Sequence, residues 1–132
     1  MSFYSEVIDN IADLAEGTEP YAEIVYGSDP PEDGICMIPG PGAPNDTHLD
    51  KGMVYRLPVV LNGKHSDQEI LLGDLTKIHE ELTRRLDYSD VSTDDIQVVD
   101  IETTALPSII GREQNNQWIC GSSFNVVFYW RK

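Results

Sequence analysis

Residues 107–132 read PSIIGREQNNQWICGSSFNVVFYWRK and carry the strongest fold signal in the chain. Asn115 and Asn116 mark a polar turn, because asparagine tolerates the positive φ that a tight two-residue hairpin requires. Beyond the turn, apolar side chains share one face at a period of two: Trp118, Cys120, Phe124, Val126, Phe128 and Trp130. A strand of about a dozen residues is long for a small domain. The sequence therefore predicts a long C-terminal β-hairpin that supports the rest of the sheet.

Apolar residues at helical spacing predict two amphipathic helices. The first begins at the N-cap residue Ser2 and ends at Gly17. The second runs from Ser66 to Leu86, and Ser66 forms a capping box with Glu69. Its apolar stripe consists of Leu71, Leu75, Ile78, Leu82 and Leu86. The stripe is too short for a coiled coil, so we expect this helix to pack on a sheet.

Apolar runs bounded by turn residues predict strands at Tyr21–Gly27, Ile35–Ile38, Met53–Asn62 and Asp95–Thr104. The pair Asn62–Gly63 is a turn signal, so the third strand is expected to end there. Between the second and third strands, residues 39–50 have no periodicity and predict a long loop.

Prolines and one break in periodicity add three expectations. Pro58 lacks a backbone donor, so its strand is expected at a sheet edge or a bulge. The apolar spacing slips near Asp100, which predicts a β-bulge. Pro107 is expected to bend the chain from one strand into the C-terminal hairpin. The order α-β-β-β-α-β-β-β predicts a single α+β domain over residues 1–132, with an antiparallel-rich mixed sheet and both helices packed on one face.

Charge is distributed unevenly along the 132 residues. The net charge is −14, and residues 1–50 contain eleven acidic residues but no Lys or Arg. Such a surface repels phosphates, so nucleic-acid binding is not expected. The acidity is compatible with a solubilising surface, a lining past which DNA slides, a patch facing a basic partner, or a high-salt host. No apolar run approaches the ~18 residues that span a bilayer, so no membrane association is expected.

The histidines lack the partners that catalysis or metal binding requires. In the segment beginning at His79, Thr83 stands where a zinc-protease helix needs its second histidine. The surroundings of His48 fail the calcium-loop pattern, because glycine comes one place late and no bidentate glutamate follows. His65 and His48 are interpreted as exposed polar residues.

The two cysteines, Cys36 and Cys120, lie in separate apolar segments and are interpreted as buried small hydrophobic residues. Gly63–Lys64 lacks the preceding glycine-rich phosphate loop. We therefore expect no enzyme activity, no cofactor and no metal.

The C-terminal pattern resembles a known family. It consists of Pro107, the run from Gly111 through Arg112, Glu113 and Asn115 to Trp118, and the strand end Phe124–Tyr129. This pattern is similar to the C-terminal end of the small minor capsid or tail terminator proteins of long-tailed bacteriophages. The order of elements along the chain also agrees with that family. It has an opening helix, a short strand before Pro39–Gly40 and a central strand–helix unit. The resemblance implies a protein that assembles as a ring, generally a hexamer, on the last ring of tail tube protein.

The same resemblance implies the partners and the place of action. The ring would stop tube growth, present a surface to the head–tail connector, and let DNA pass through its lumen without specific binding. It would assemble in the host cytoplasm and remain in the virion. The expected contact regions are the hairpin tip and the loop 39–50. Their candidate residues are Arg112, Glu113, Asn115, Asn116, Pro41, Asn45, His48 and Asp50.

Three alternatives stay open at this point. A neck or head-completion connector protein is the close variant of the tail terminator. A cytosolic binding module unrelated to phages, or a small enzyme whose site is not visible in the sequence, would also fit the composition. For the hairpin tip itself, a merely solvated turn is the competing interpretation.

Overall fold

The computed structural model describes residues 5–27, 29–40, 43–47 and 53–130, with the backbone alone for 43–47. These residues form an α+β fold with two helices and a six-stranded mixed sheet, which confirms the predicted class. In chain order the elements are α1 Ser5–Glu16, β1 Ile24–Tyr26, β2 Ile35–Pro39, β3 Ala43–Thr47, β4 Met53–His65, α2 Gln68–Thr83, β5 Ile96–Arg112 and β6 Trp118–Trp130. Within the described ranges, no helix is both long and apolar enough to span a bilayer.

The sheet is built around β4 and β6. The strand order is β1-β2-β4-β6-β5, and β3 also pairs with β4. β1 and β2 are parallel, whereas every other pairing in this order is antiparallel. β4 and β6 pair without interruption from Met53 opposite Trp130 to His65 opposite Trp118. β5 and β6 form the predicted long C-terminal hairpin.

Both helices and one face of the sheet share a single hydrophobic core. The α2 helix lies against β4, β5 and β6, and α1 packs beside α2. Full burial of one aliphatic or aromatic side chain contributes about 1.5–3 kcal/mol before entropy, so this face dominates the stability of the fold. Its fully buried members include Val7, Ile11, Leu57, Val59, Leu61, Leu71, Leu75, Ile78, Leu82, Phe124 and Val126.

The predicted turn at Asn62–Gly63 is wrong, because β4 continues through both residues to His65. A Cβ added at Gly63 would lie 2.9 Å from Leu71 Cδ1 and from Tyr21 Oη. Glycine is therefore present because α2 approaches the strand closely. The first predicted strand is also shorter than expected and begins at Ile24.

Pro58 lies in a central strand, which corrects the edge prediction, and its pairing with β6 has no bulge. The Pro58 carbonyl accepts a hydrogen bond from the Gly40 N–H at 2.7 Å. In an extended strand the N–H and C=O of one residue point to the same side. The side of Pro58 that lacks an N–H therefore faces the segment between the end of β2 and the start of β3, so no hydrogen bond between paired strands is lost.

The predicted loop 39–50 is wrong over residues 43–47, which form β3 against the first part of β4. The pairing shifts register between Pro44 and Asp46. β4 extends beyond the end of β2, and β3 supplies partners to the backbone groups that β2 leaves uncovered. Pro44 and the lack of alternation concealed this strand from pattern analysis.

β5 is one long strand rather than two segments bent at Pro107. Its pairing with β6 shifts register at four places, and one shift lies between Val98 and Asp100, as predicted. Pro107 lies within another shift, between Ala105 and Ser108. A bulge tolerates proline because the extra residue stays outside the ladder. Among the residues that the structure describes, four strands precede α2 and two follow it, instead of the predicted three and three.

The ends of α2 differ from the prediction. Asp67, not Ser66, is the N-cap, and its Oδ1 accepts hydrogen bonds from the N–H groups of Glu69 (2.9 Å) and Ile70 (3.4 Å). The helix ends at Thr83, so Leu86 leaves the apolar stripe and is fully exposed. The predicted cap of α1, Ser2, lies outside the described residues.

Candidate functional site

The hairpin turn contains three residues, 114–116, rather than the predicted two. The Asn116 N–H donates to the Glu113 carbonyl at 3.1 Å, and the Glu113 N–H donates to the Gln117 carbonyl at 2.8 Å. Asn116 has φ 67°, in the left-handed region. A type I turn followed by one left-handed residue is a common three-residue hairpin loop. Asn115 Oδ1 accepts from the Gln117 N–H at 3.3 Å, so both asparagines shape the turn.

Glu113 points back toward β4 and forms an ion pair. Lys64 Nζ lies 3.0 Å from Glu113 Oε2 and 2.9 Å from Asp29 Oδ1. The Lys64 side chain is only 8% exposed, and hydrogen bonds to Asp29 and then to Glu113 raise the Lys64 pKa. The ammonium group therefore stays charged between two carboxylates. Glu113 was predicted as a contact residue, and the structure gives it this structural role.

A second polar contact joins the tip to the loop between β1 and β2. The Asp33 N–H donates to Gln117 Oε1 at 2.8 Å, and Gln117 Nε2 donates to Asp33 Oδ1 at 3.1 Å. Gln117 is buried, so the contact satisfies a polar side chain that would otherwise be costly. Sequence patterns gave no signal for Gln117, because its partner is 84 residues away. The turn and residues 29–34 thus form one continuous surface, the latched tip.

Arg112 is the predicted tip residue that presents donors to the outside. Its guanidinium lies over the Trp118 ring, 5.3 Å from the ring centroid, and one Nη donates to Asn116 Oδ1. The side chain is exposed. Stacking occupies the flat face of a guanidinium and leaves its in-plane N–H donors available. The contacts with Trp118 and Asn116 therefore hold Arg112 in an orientation suited to binding an acceptor.

The structure brings together the four tip candidates but does not place the loop candidates. Pro41, His48 and Asp50 lie outside the described residues. Asn45 lies within β3, at its register shift, and its side chain is outside the described part. The tip is therefore the candidate site that the structure supports with geometry.

His65 is less exposed than predicted, and His48 lies outside the described residues. His65 is half-buried, its ring packs edge-on against Tyr21 at 4.7 Å, and its Nδ1 accepts from the Asp67 N–H at 2.9 Å. His79 is 2% exposed, and its Nε2 lies 2.8 Å from Thr103 Oγ1. Burial lowers the His79 pKa, and nearby Glu80 opposes this shift less strongly. Both rings serve packing in the fold.

Cys36 and Cys120 are buried, as predicted. Burial raises the pKa of both thiols, that of Cys120 to about 11, so each stays protonated and weakly nucleophilic near neutral pH. Within the described ranges, no group of three or more His, Cys, Asp or Glu side chains is arranged to hold a metal ion.

Acidic side chains gather on the side of the fold formed by α1 and β1. Glu16, Glu19 and Glu23 line a recess of about 340 Å³ beside the start of β1. Glu16 Oε2 accepts from the Ile24 N–H at 3.0 Å, whereas Glu23 is exposed. β5, at the other margin of the sheet, ends at Arg112. The sheet therefore has two unlike lateral sides.

No protein-family model matches this chain, and no curated protein matches it. The geometry of the latched tip and of the two lateral sides is therefore the physical basis for a functional hypothesis.

Proposed function

We propose that this chain is a tail terminator of a long-tailed bacteriophage. In this role it closes the tail tube as a homo-oligomeric ring, a hexamer, and offers a surface to the head–tail connector. The resemblance of the C-terminal hairpin suggests the family. The observation that carries the proposal is the pair of different, partly apolar surfaces at opposite ends of the sheet.

A closed ring needs head-to-tail contacts between two different patches on each subunit. β1 and β5 are the first and last strands of the sheet order, so their outer sides face in opposite directions. The β5 side exposes Leu106 (71%) and Val99, and the β1 side exposes Tyr26 (55%) and Val25. Apolar side chains that sit at both lateral sides favour repeated lateral association.

The tip motif also suits an assembly protein. The resemblance rests on Gly111, Arg112, Glu113 and Asn115, and three of these make contacts that hold the tip in shape. A rigid tip loses little conformational entropy on binding, which favours contact with a partner. Within a ring, the latched tip would be repeated once in each subunit and would form a regular surface for the tail tube protein or the connector.

The acidic surface agrees with passage of DNA through a ring. Residues 1–50 carry no basic residue, and the exposed α1 side chains Glu6, Asp9 and Asp13 lie on the acidic side. Phosphates approaching such a surface are repelled rather than bound. In this proposal, DNA traverses the lumen without specific contacts, and the protein acts in the virion after assembly in the host cytoplasm.

Electron microscopy of particles made with and without this gene product tests the role. A tail terminator predicts tails of uncontrolled length that lack heads when the protein is absent. Tails of normal length that fail to join filled heads would instead assign the protein to the neck. Normal infectious particles would refute both roles.

Ring formation is tested on the purified protein by sedimentation velocity. Leu106→Glu introduces a charge on the β5 side and is expected to abolish the ring. Leu86→Glu is the matched control, because Leu86 is also a highly exposed leucine but lies after α2. Equal effects of the two substitutions would contradict an interface at the β5 side.

A further inference from the structure

We infer that Arg112 binds a carboxylate on a second copy of the chain and that Glu23 supplies it. This inference rests on the proposed ring, because it names the polar contact between neighbouring subunits. Three features of the fold support this contact: the exposed and preorganised guanidinium of Arg112, the similar height of the two residues in the sheet, and the acidic stretch around Glu23.

The guanidinium of Arg112 is held before any partner arrives. It is exposed, stacked on Trp118 at 5.3 Å and hydrogen-bonded through one Nη to Asn116. Of its five N–H donors, the side-chain contact uses one, so a fork for bidentate carboxylate binding remains. A stacked arginine loses less side-chain entropy on binding than a freely rotating one.

The strand register places Arg112 and Glu23 at nearly the same height on opposite sides. Ile24 lies in a row that crosses the sheet through Ile35, Gly63, Cys120 and Ile109. Glu23 is one residue above this row. Arg112 pairs with Trp118, two residues above it on β6. When β1 is extended by one residue to Glu23, the Cα positions of Glu23 and Arg112 differ in height by one residue, about 3.3 Å. When subunits are placed side by side at equal height, β5 of one faces β1 of the next, and Arg112 comes level with Glu23.

Charge complementarity identifies the occupant as a second copy. Arg112 is the exposed last residue of β5 and its guanidinium lies over Trp118 of β6, whereas Glu19 and Glu23 are exposed on the α1–β1 side, in a stretch without any Lys or Arg. A net charge of −14 makes subunits repel at long range. At physiological salt this repulsion is screened beyond about 8 Å, whereas a contact pair is screened much less. Only the orientation that brings Arg112 of one subunit to Glu23 of the next would gain an attractive contact against the repulsion, so the pair would select that orientation.

A charge swap on the full-length protein tests the contact, with sedimentation velocity as the measurement of self-association. Arg112→Glu and Glu23→Arg should each weaken association at least about tenfold, because close interfacial charge pairs have coupling energies above 1.4 kcal/mol. The double variant Arg112→Glu/Glu23→Arg should recover most of the wild-type association. Lys77→Glu and Asp94→Arg are the controls, because they change the net charge equally at exposed positions outside β1, β5 and the tip.

The outcomes separate this inference from the proposed function. If wild type forms rings and both single variants do so equally well, the Arg112–Glu23 contact is refuted and the ring stands. If the variants weaken association but the double variant does not recover it, the pairing is refuted. If wild type remains monomeric at all concentrations, the self-contact is refuted, and the tail-length experiment decides the terminator role independently. Thermal melts show whether Arg112→Glu disturbs the tip; Glu23→Arg lies outside the tip and tests the contact from the other side.

Discussion

Replacing His79 with leucine is expected to stabilise the protein and to weaken its sensitivity to acid. His79 is 2% exposed between α2 and the sheet, and its ring packs edge-on against Phe124. Its Nε2 is bonded to Thr103, but among the described residues its Nδ1 has no hydrogen-bond partner. A buried polar atom without a partner costs about 1–3 kcal/mol. Leucine removes this cost and fills a similar volume.

The expected gain near neutral pH is about 1 kcal/mol. The substitution gives up the Nε2–Thr103 hydrogen bond, worth about 1 kcal/mol, and Thr103 is exposed and can bond to water instead. At lower pH the difference should grow. Burial lowers the pKa of His79 below the usual histidine value of about 6.5, so the unfolded chain binds the proton more readily than the folded one.

The free energy of unfolding is therefore unaffected by this titration above about pH 6.5, and it decreases as the pH falls below that value because the unfolded state takes up the proton first. For a single proton, the loss between pH 6.5 and about 5.5 reaches at most about 1 kcal/mol. Urea unfolding at several pH values measures this directly. His79→Leu should exceed wild type by about 1 kcal/mol at pH 7.5 and by up to about 2 kcal/mol at pH 5.5.

The matched control is Thr103→Val, which keeps the histidine and removes its partner. This variant should be less stable than wild type and retain the acid sensitivity. If wild type and His79→Leu lose stability in parallel as the pH falls, then His79 does not titrate in this range and the reasoning is wrong. A destabilised His79→Leu at neutral pH would show that its Nδ1 is satisfied in solution.

Three further substitutions test the fold and the tip by urea unfolding. Gly63→Ala should lose about 1–3 kcal/mol because its Cβ would lie 2.9 Å from an α2 leucine; no loss would contradict close helix packing. Asn116→Gly should be neutral or slightly stabilising and Asn116→Ala destabilising by about 1 kcal/mol, since φ is 67°; equal values would refute the left-handed turn. Lys64→Met and Glu113→Gln should each lower the free energy of unfolding by about 1 kcal/mol, and the double variant should lose hardly more than either single variant. If the two losses add fully, the ion pair contributes nothing to stability.

Local patterns predicted the elements whose burial repeats regularly. The stripe from Leu71 to Leu82 has a period of 3.6 residues, and β6 has a period of two, so both were found before the structure. His79 was missed as a buried residue, although it follows Leu75 by four residues and thus lies on the same face. The spacing of His79 from Leu75 predicts its burial better than the chemistry of its imidazole does.

Elements whose formation depends on distant partners were not predictable. β3 forms because β4 needs backbone partners beyond the end of β2, and nothing within Ala43–Thr47 announces this. Gly63 was interpreted as part of a turn because the approach of α2 is invisible in the local sequence. At the tip, the candidate residues were found, but the role of Glu113 depends on Lys64 in β4. A strand register is needed to bring these two residues together.

The four shifts in the pairing of β5 have a consequence for aggregation. A long strand at the margin of a sheet is a template on which unrelated chains can stack into fibres. Here the repeated offsets and Pro107 interrupt the even spacing of donors and acceptors that such stacking requires. The longest strand that the structure describes is therefore a poor seed for amyloid.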